Sequence, residues 1–383
     1  MRLTHLLQPL TPEEFFGTHW GRQPRVLRGE PGRFASLFSS RDVGRLLTYR
    51  PPRALDGVLL IREGRHRDEN WLTPEGLPRL DQVRAAWREG YTLVVNRMEQ
   101  HWEPLGRLGR ALEEELHHPV SINLYATPPG ARGFPPHFDV MDGFILQLEG
   151  AKVWRVHGPQ VELPLPDEHA PTPPEHLPPL LFEETLEPGD VLYLPRGFVH
   201  AARTSERASV HLTLGVQPVT WGELLSAALS AVRSEPRFRQ ALPPRFLEGS
   251  SEMAERFQEL LTRLPGHLEL GGALAQLAER LIVQRPPPPE EELLEGGAAL
   301  GSEAVLGRRE GMLLRVMEGP GYAALQYSGG KLVGPARIGP ALRHISRNTV
   351  VAVRSLPGLS QKEQCVLAER LVRTGVLVTR GAP

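Results

Sequence analysis

Three residues separated in the chain carry the strongest chemical signal: His137 and Asp139 in Pro136-His137-Phe138-Asp139, and His200 closing Leu194-Pro195-Arg196-Gly197-Phe198-Val199-His200. Two imidazoles and one carboxylate are the ligand set of non-haem iron(II) sites, where three protein ligands hold one side of an octahedral ion. Residues two apart on a β-strand project from one face, so His137 and Asp139 supply two legs of a tripod that a ligand on another strand can close. The three remaining metal positions suit a cosubstrate and dioxygen, which points to oxidation chemistry and away from closed structural zinc. His-x-Asp alone is a common pattern. Here Pro135-Pro136 holds the entry to the strand extended, and the apolar run Asp190-Val191-Leu192-Tyr193-Leu194-Pro195 leads into the loop expected to present His200. Of the fourteen histidines, His66, His169, His176 and His344 lie in polar or proline-rich surroundings and are read as surface residues.

Lysine usage gives a second signal. Among 44 Lys and Arg residues only Lys152, Lys331 and Lys362 are lysine. A compact ammonium on a thin stem reaches a buried carboxylate where a guanidinium fork is too wide. Lys152 follows the His-x-Asp strand and one further strand-like run, which makes it the candidate counter-ion of an anionic cosubstrate. Lys331, beside a Gly-Gly turn, is read as an ordinary surface residue.

These residues must be held by a framework, and the pattern of the chain outlines one. At 383 residues, two or three domains are expected. The net charge of −1 excludes a globally basic nucleic-acid binder, yet residues 301–383 hold 12 Lys and Arg against 5 Asp and Glu. The single cysteine, Cys365, cannot form an internal disulfide, and no apolar run is long enough to span a bilayer. Met1-Arg2-Leu3-Thr4-His5 lacks the apolar run of a leader, so a cytoplasmic protein without membrane contact is expected.

Residues 1 to about 50 read as helical, with Thr11-Pro12-Glu13-Glu14 as a helix start. Helical stretches follow at Leu80–Arg88 and Leu105–Leu116, separated by a strand-like run at 91–95. From about residue 119 the period becomes two. Val120–Tyr125, Gly143–Leu148, Lys152–Val156, Asp190–Leu194 and Ser209–Leu214 read as strands of a barrel or sandwich, with a Glu149-Gly150 turn and a proline-rich insertion at 163–180. Helical spacing returns at Trp221–Val232, Glu252–Leu264 and Leu270–Val283, leaving apolar faces suited to packing on the barrel or to a homodimer contact. Arg285 to Glu292, with four consecutive prolines, reads as a stiff linker. Beyond it, Gly311–Met317, Ala323–Tyr327, Ala341–Ile345, Gln361–Arg373 and Val376–Thr379 fit a small α/β domain such as a winged helix. The expected domains are thus 1–218, 219–285 and 286–383.

Five segments together resemble one family: Asn123-Leu124-Tyr125-Ala126-Thr127-Pro128-Pro129, Gly133 to Asp139, Gln147 to Val156, Pro195 to His200, and His211-Leu212-Thr213-Leu214. They are similar to those of the ribosomal oxygenases, JmjC-type protein hydroxylases of the cupin superfamily that depend on Fe(II) and 2-oxoglutarate. The resemblance is dense from about 120 to 222. It implies a mainly β catalytic core, a double-stranded β-helix with flanking helices, followed by a helical dimerisation region and a winged-helix-like tail. It also implies that His137, Asp139 and His200 ligate iron and that Lys152 pairs with the distal carboxylate of 2-oxoglutarate. Asn123 would lie beside the cosubstrate, Tyr125 would line the substrate channel, and His211 would line the pocket, while Trp154 is read as barrel core. O2 is then the second cosubstrate, and a side chain of a ribosomal protein, arginine or histidine, is the target. Where the eukaryotic histidine hydroxylases continue Ser-Thr-Tyr-Gln after His-Leu-Thr-Leu, this chain has Gly215-Val216-Gln217, so the target residue stays open. The basic tail is a candidate for weak rRNA contact. Competing readings are an oxygenase of a free amino acid or natural-product peptide and a non-catalytic metal-binding cupin. Lys152 beside a complete triad speaks against the second of these.

Overall fold

The computed structural model describes residues 1–49, 57–67, 71–75, 77–168, 172–289 and 300–379. His169 and the Glu290-Glu291-Glu292 end of the expected linker lie outside the described residues. The chain divides into two compact units, Met1–Pro218 and Val219–Pro383. Among the described residues no helix is long and apolar enough to cross a membrane.

The first unit runs α1 (Leu3–Leu7), α2 (Pro12–Thr18), β1 (Arg25–Leu27), α3 (Asp42–Tyr49), β2 (Val58–Arg62), β3 (Arg65–His66), α4 (Leu80–Arg88), β4 (Thr92–Val95) and α5 (Glu103–Leu116). The strands β5 (Val120–Thr127), β6 (Asp142–Gly150), β7 (Lys152–Pro159), β8 (Leu180–Leu186), β9 (Val191–Leu194), β10 (Phe198–Arg203) and β11 (Ser209–Val216) follow. They form two antiparallel sheets, ordered β1-β9-β6-β11-β5-β4-β2-β3 and β10-β7-β8. His137 extends the smaller sheet through one bridge to His200. From β5 onward the chain crosses back and forth between the sheets, with β5 and β6 in the larger, β7 and β8 in the smaller, β9 in the larger, β10 in the smaller and β11 in the larger, the winding of a double-stranded β-helix.

Alternation explains how the larger sheet is sandwiched. On β5, Val120, Ile122, Leu124 and Ala126 face one way, into a core with Leu3, Leu6, Leu7, Phe15, Leu105 and Leu112 of the flanking helices. Ser121, Asn123, Tyr125 and Thr127 therefore point the other way, into the barrel. Ile145, Trp154, Val156, Leu186, Leu192 and Leu194 form a smaller apolar cluster. The Thr11 hydroxyl caps α2 in a reciprocal capping box with Glu14, as its motif predicts.

Several expectations need correction. The first fifty residues are not all helical, because β1 adds to the sheet edge as Arg25–Leu27 pairs with Tyr193–Val191. His137 and Asp139 do not lie on an extended strand; only His137 bridges, since Pro135 and Pro136 bring no N–H to a ladder. His200 is not on a loop but inside β10, opposite Val156 of β7. Strand β8 follows the proline-rich insertion and escaped the sequence reading.

In the second unit, α6 (Trp221–Ala231) packs on α8 (Leu270–Ala278) through Ala227, Ala228 and Ala273, whose small side chains allow close approach. Helix α7 (Ser251–Arg263) lies between them in sequence, and one π-helical turn, Glu279–Val283, extends α8. Then come β12 (Val305–Arg308), β13 (Leu314–Gly319), β14 (Tyr322–Tyr327), β15 (Gly330–Pro335), α9 (Gly339–Arg347), β16 (Val350–Ala352), α10 (Gln361–Arg373) and β17 (Leu377–Thr379). They give two small sheets, β16-β12-β17 and β13-β14-β15, around a core that includes Leu325, Leu342, Ile345 and Leu371. The start of the expected linker is not a free spacer: Pro288 is buried and its carbonyl accepts a hydrogen bond from Arg309.

Candidate metal centre and cosubstrate pocket

Inside the barrel the inward faces of β5, β6, β7, β10 and β11 line a cavity of about 370 Å³. Its walls include His137, Asp139 and His200, and also Lys152, Tyr125 and His211. The sequence-designated triad is thereby brought together. Among the described residues it is a group of metal-ligating side chains whose ligand atoms all lie within 4.8 Å of one another.

The local geometry prepares both histidines in the same way. Nδ1 of His137 lies 2.9 Å from the Pro135 carbonyl, and Nδ1 of His200 lies 3.1 Å from the Phe198 carbonyl. An Nδ1–H donating to a carbonyl two residues back fixes the tautomer and leaves Nε2 free as a ligand. Backbone bonds in both directions, 3.1 and 2.8 Å, tie His137 to His200, and their rings stand 4.5 Å apart. His200 Nε2 lies 3.7 Å from Asp139 Oδ2, slightly wider than the about 3 Å between neighbouring ligands about 2.1 Å from a metal. Burial, reinforced by His137, pushes His200 down to about 4, so its ring is neutral at pH 7 and its lone pair is available. Two imidazoles and a carboxylate fit a divalent first-row metal.

Lys152 begins β7, immediately after a tight hairpin. Gly150 has φ +64°, and a Cβ there would come 1.7 Å from the Ala208 carbonyl oxygen, so only glycine fits this turn. Lys152 is 4% exposed and its ammonium lies 3.0 Å from the Thr127 hydroxyl. Among the described residues no carboxylate pairs with it, and burial alone brings its pKa down to about 7. A buried amine without a carboxylate beside it is the electrostatic complement of an anion that is itself desolvated there.

Tyr125 and His211 are opposite one another on β5 and β11 and stack 4.8 Å apart at 2°. Burial and the Asp139 charge hold the Tyr125 hydroxyl far above its ordinary range, so it stays protonated. His211 is pushed well below its usual value by burial and by Lys152, and it is neutral. Asn123 shares the inward face of β5 but is not a cavity wall. Its oxygen accepts the Arg97 N–H at 3.1 Å and its amide supports the Tyr125 hydroxyl.

Among the residues that sequence reasoning missed are two walls of the cavity, Phe134 and Trp154, and one residue behind the wall, Thr127. Thr127 holds Lys152, and its place two residues beyond Tyr125 on one β face was the signal for it. Phe134 stands edge-on to Tyr125 at 6.2 Å with no local signal. Trp154, expected in the core, is packed there and also walls the cavity, with its ring 5.9 Å from that of His200 and 5.5 Å from that of His211.

A family profile matches residues 96–224, and it is that of the JmjC domain. Residues 96–224 form a JmjC domain. The chain around this JmjC domain is similar to Ribosomal oxygenase 1 of Gallus gallus, 33% identical over 303 residues, which cover 72% of this chain and 50% of that protein. It is also 29% identical over 304 residues to a Drosophila willistoni protein named bifunctional lysine-specific demethylase and histidyl-hydroxylase NO66, covering 73% of this chain and 39% of the relative. The chain therefore spans about half, or less, of the length of these curated relatives. The JmjC domain and its flanks also share their fold with YcfD, an Escherichia coli ribosomal oxygenase solved with cobalt and 2-oxoglutarate. That likeness has a TM-score of 0.56 at 22% identity and covers 97% of this chain and 99% of YcfD.

Proposed function

We propose that the chain is an Fe(II)- and 2-oxoglutarate-dependent dioxygenase that hydroxylates an arginine or histidine side chain of a ribosomal protein. One observation carries this reading: a buried amine with no carboxylate partner among the described residues shares a cavity with a two-histidine, one-carboxylate cluster. The ribosomal oxygenases among its relatives, and the 2-oxoglutarate in the YcfD structure, support it.

In this reading His137, Asp139 and His200 hold the metal. When bound, iron(II) couples oxidative decarboxylation of 2-oxoglutarate by O2 to hydroxylation of a C–H bond. The chain contributes positioning and exclusion of water. Lys152 and the Thr127 hydroxyl receive the distal carboxylate, and its charge keeps the ammonium protonated. Tyr125, a fixed donor backed by Asn123, and the Tyr125–His211 stack orient the groups that enter beside the metal. Phe134 and Trp154 supply apolar walls.

Trp221, Leu225 and Leu229 recur every four residues on α6 and are 80%, 56% and 46% exposed, a face suited to a second copy of the chain. Residues 219–285 are accordingly read as a dimerisation region. The tail, 286–383, is read as winged-helix-like, with its basic surplus available to rRNA near a ribosomal substrate.

Intact-mass comparison of ribosomal proteins from cells with and without the gene tests the proposal. One protein is expected to lose the mass of one oxygen in the deletion strain. Identical masses throughout, together with 2-oxoglutarate turnover on a free amino acid, would move the substrate to a small molecule.

A further inference from the structure

Asp142 lies three residues beyond Asp139, is 2% exposed, and lines no part of the cavity. Its Oδ1 accepts the backbone N–H of Arg196 at 3.2 Å, and the Tyr193 hydroxyl points at the same oxygen from 3.3 Å. The Arg196 guanidinium stands 4.0 Å from Oδ2, with the Arg196 side chain 10% exposed and that of Asp142 3%. The Tyr193 oxygen in turn accepts the Gly21 N–H at 2.7 Å. A buried carboxylate thus grips the turn Pro195-Arg196-Gly197, which feeds directly into β10 and His200.

The next residue of that turn closes the circuit. The Gly197 N–H donates to the backbone carbonyl of Asp139 at 2.9 Å, and the Gly197 carbonyl accepts the Gln160 N–H at 2.9 Å. Gly197 has φ +86°, and a Cβ there would come 2.0 Å from the Val161 carbonyl oxygen. The turn therefore requires glycine at this position, and its register decides where His200 enters β10. That register is also the one in which His200 pairs with His137. The segment carrying Asp139 and the segment carrying His200 are tied together at Asp139 itself and, one turn away, at Asp142.

We propose that Asp142 is a positioning residue for the His137, Asp139 and His200 cluster: by holding the Arg196 N–H it sets the separation between Asp139 and His200. The role rests on the metal-centre reading above. Without the carboxylate, Arg196 keeps a buried N–H and guanidinium with no acceptor there, and the turn relaxes until water satisfies them. The relaxation moves His200 relative to Asp139, and the metal loses geometry before the barrel loses its fold.

The test is a Co(II) titration of the full chain, following the visible spectrum, alongside thermal melts with and without Co(II). Asp142→Ala is expected to bind Co(II) about 10- to 100-fold more weakly, with an altered spectrum and a smaller Co(II)-induced rise in Tm. Asp142→Asn keeps an oxygen facing the Arg196 N–H and is expected to restore affinity to within about threefold of wild type. Wild-type affinity and spectrum in Asp142→Ala would overturn the role, as would an Asn variant no better than Ala. If the Ala variant does not fold, Asp142→Glu decides: its carboxylate is displaced by one methylene, so an altered spectrum is expected and an unchanged one refutes the role. Failure of the wild-type chain to take up Co(II) would instead strike the metal reading itself.

Discussion

Lys152 and Thr127 belong to different sheets of the barrel, yet the Lys152 ammonium lies 3.0 Å from the Thr127 hydroxyl, and both side chains are buried. The hydroxyl is a neutral acceptor and leaves the charge uncompensated. A lysine kept in this condition has its complement in an incoming anion.

Lys152→Met keeps most of the stem and removes the charge. It is expected to weaken 2-oxoglutarate binding about 10- to 100-fold, the worth of one charged hydrogen bond, while Co(II) binding stays at the wild-type level. Thr127→Val removes only the neutral partner, and a loss of about tenfold or less is expected. Calorimetric titration of the Co(II)-loaded chains measures both. Equal 2-oxoglutarate affinity in wild type and Lys152→Met would remove the counter-ion role.

The same amine sets a pH dependence. With its pKa down to about 7, Lys152 is largely neutral above that pH in the empty pocket, and a bound carboxylate restores the proton. Binding above pH 7 should therefore take up a proton, and affinity should fall as pH rises, by up to about tenfold per unit. Titrations in buffers of different ionisation enthalpy read the proton directly. For stability the sign is opposite. The unfolded chain, with lysine at its ordinary 10.5, binds more protons than the fold between about 7 and 10.5, so this contribution rises with pH through that window. Its cost is complete below 7 and absent above 10.5. The Tm advantage of Lys152→Met over wild type should accordingly shrink from pH 7 to pH 10.

His137→Ala or Asp139→Ala should reduce iron-dependent succinate formation to the level without enzyme. Asp139 is partly exposed, so its removal should change stability by only about 1 kcal/mol. Chelation should abolish turnover in the wild type, and added Fe(II) should restore it. Normal turnover in either variant would end the triad assignment.

Trp221→Glu combined with Leu225→Glu places two charges on the exposed stripe of α6. If a second copy covers that stripe, light scattering should show a wild-type dimer and a monomeric variant, with the Co(II) spectrum unchanged. A monomeric wild type would return the helices to another role.

Much of the framework was readable because its signals are local. The period-two run from Val120 places Asn123, Tyr125 and Thr127 on one face whatever the strand pairs with, and the capping box at Thr11 is complete within four residues. The helices at 80–88 and 103–116 show their apolar faces in the same way. By contrast β8 and β10 are short, partly polar strands whose pairing with β7 is what makes them strands, and no local pattern announces them. The extended strand expected at His137 reduces to one bridge because flanking prolines cannot feed a ladder.

The sequence by itself determined the chemistry on offer: two histidines and an aspartate with metal-ligand character, one lysine where arginine is the rule, and alternation that turns polar residues inward. Tertiary structure decided what those groups became. Closure of the barrel brought residues 137 and 200 into hydrogen-bonded register, left Lys152 buried beside the Thr127 hydroxyl, turned Trp154 into a cavity wall, and stacked Tyr125 on His211. Residue type and local period are written along the chain. Distances between strands remote in sequence, and the desolvation that moves a pKa, exist only once the chain has closed on itself.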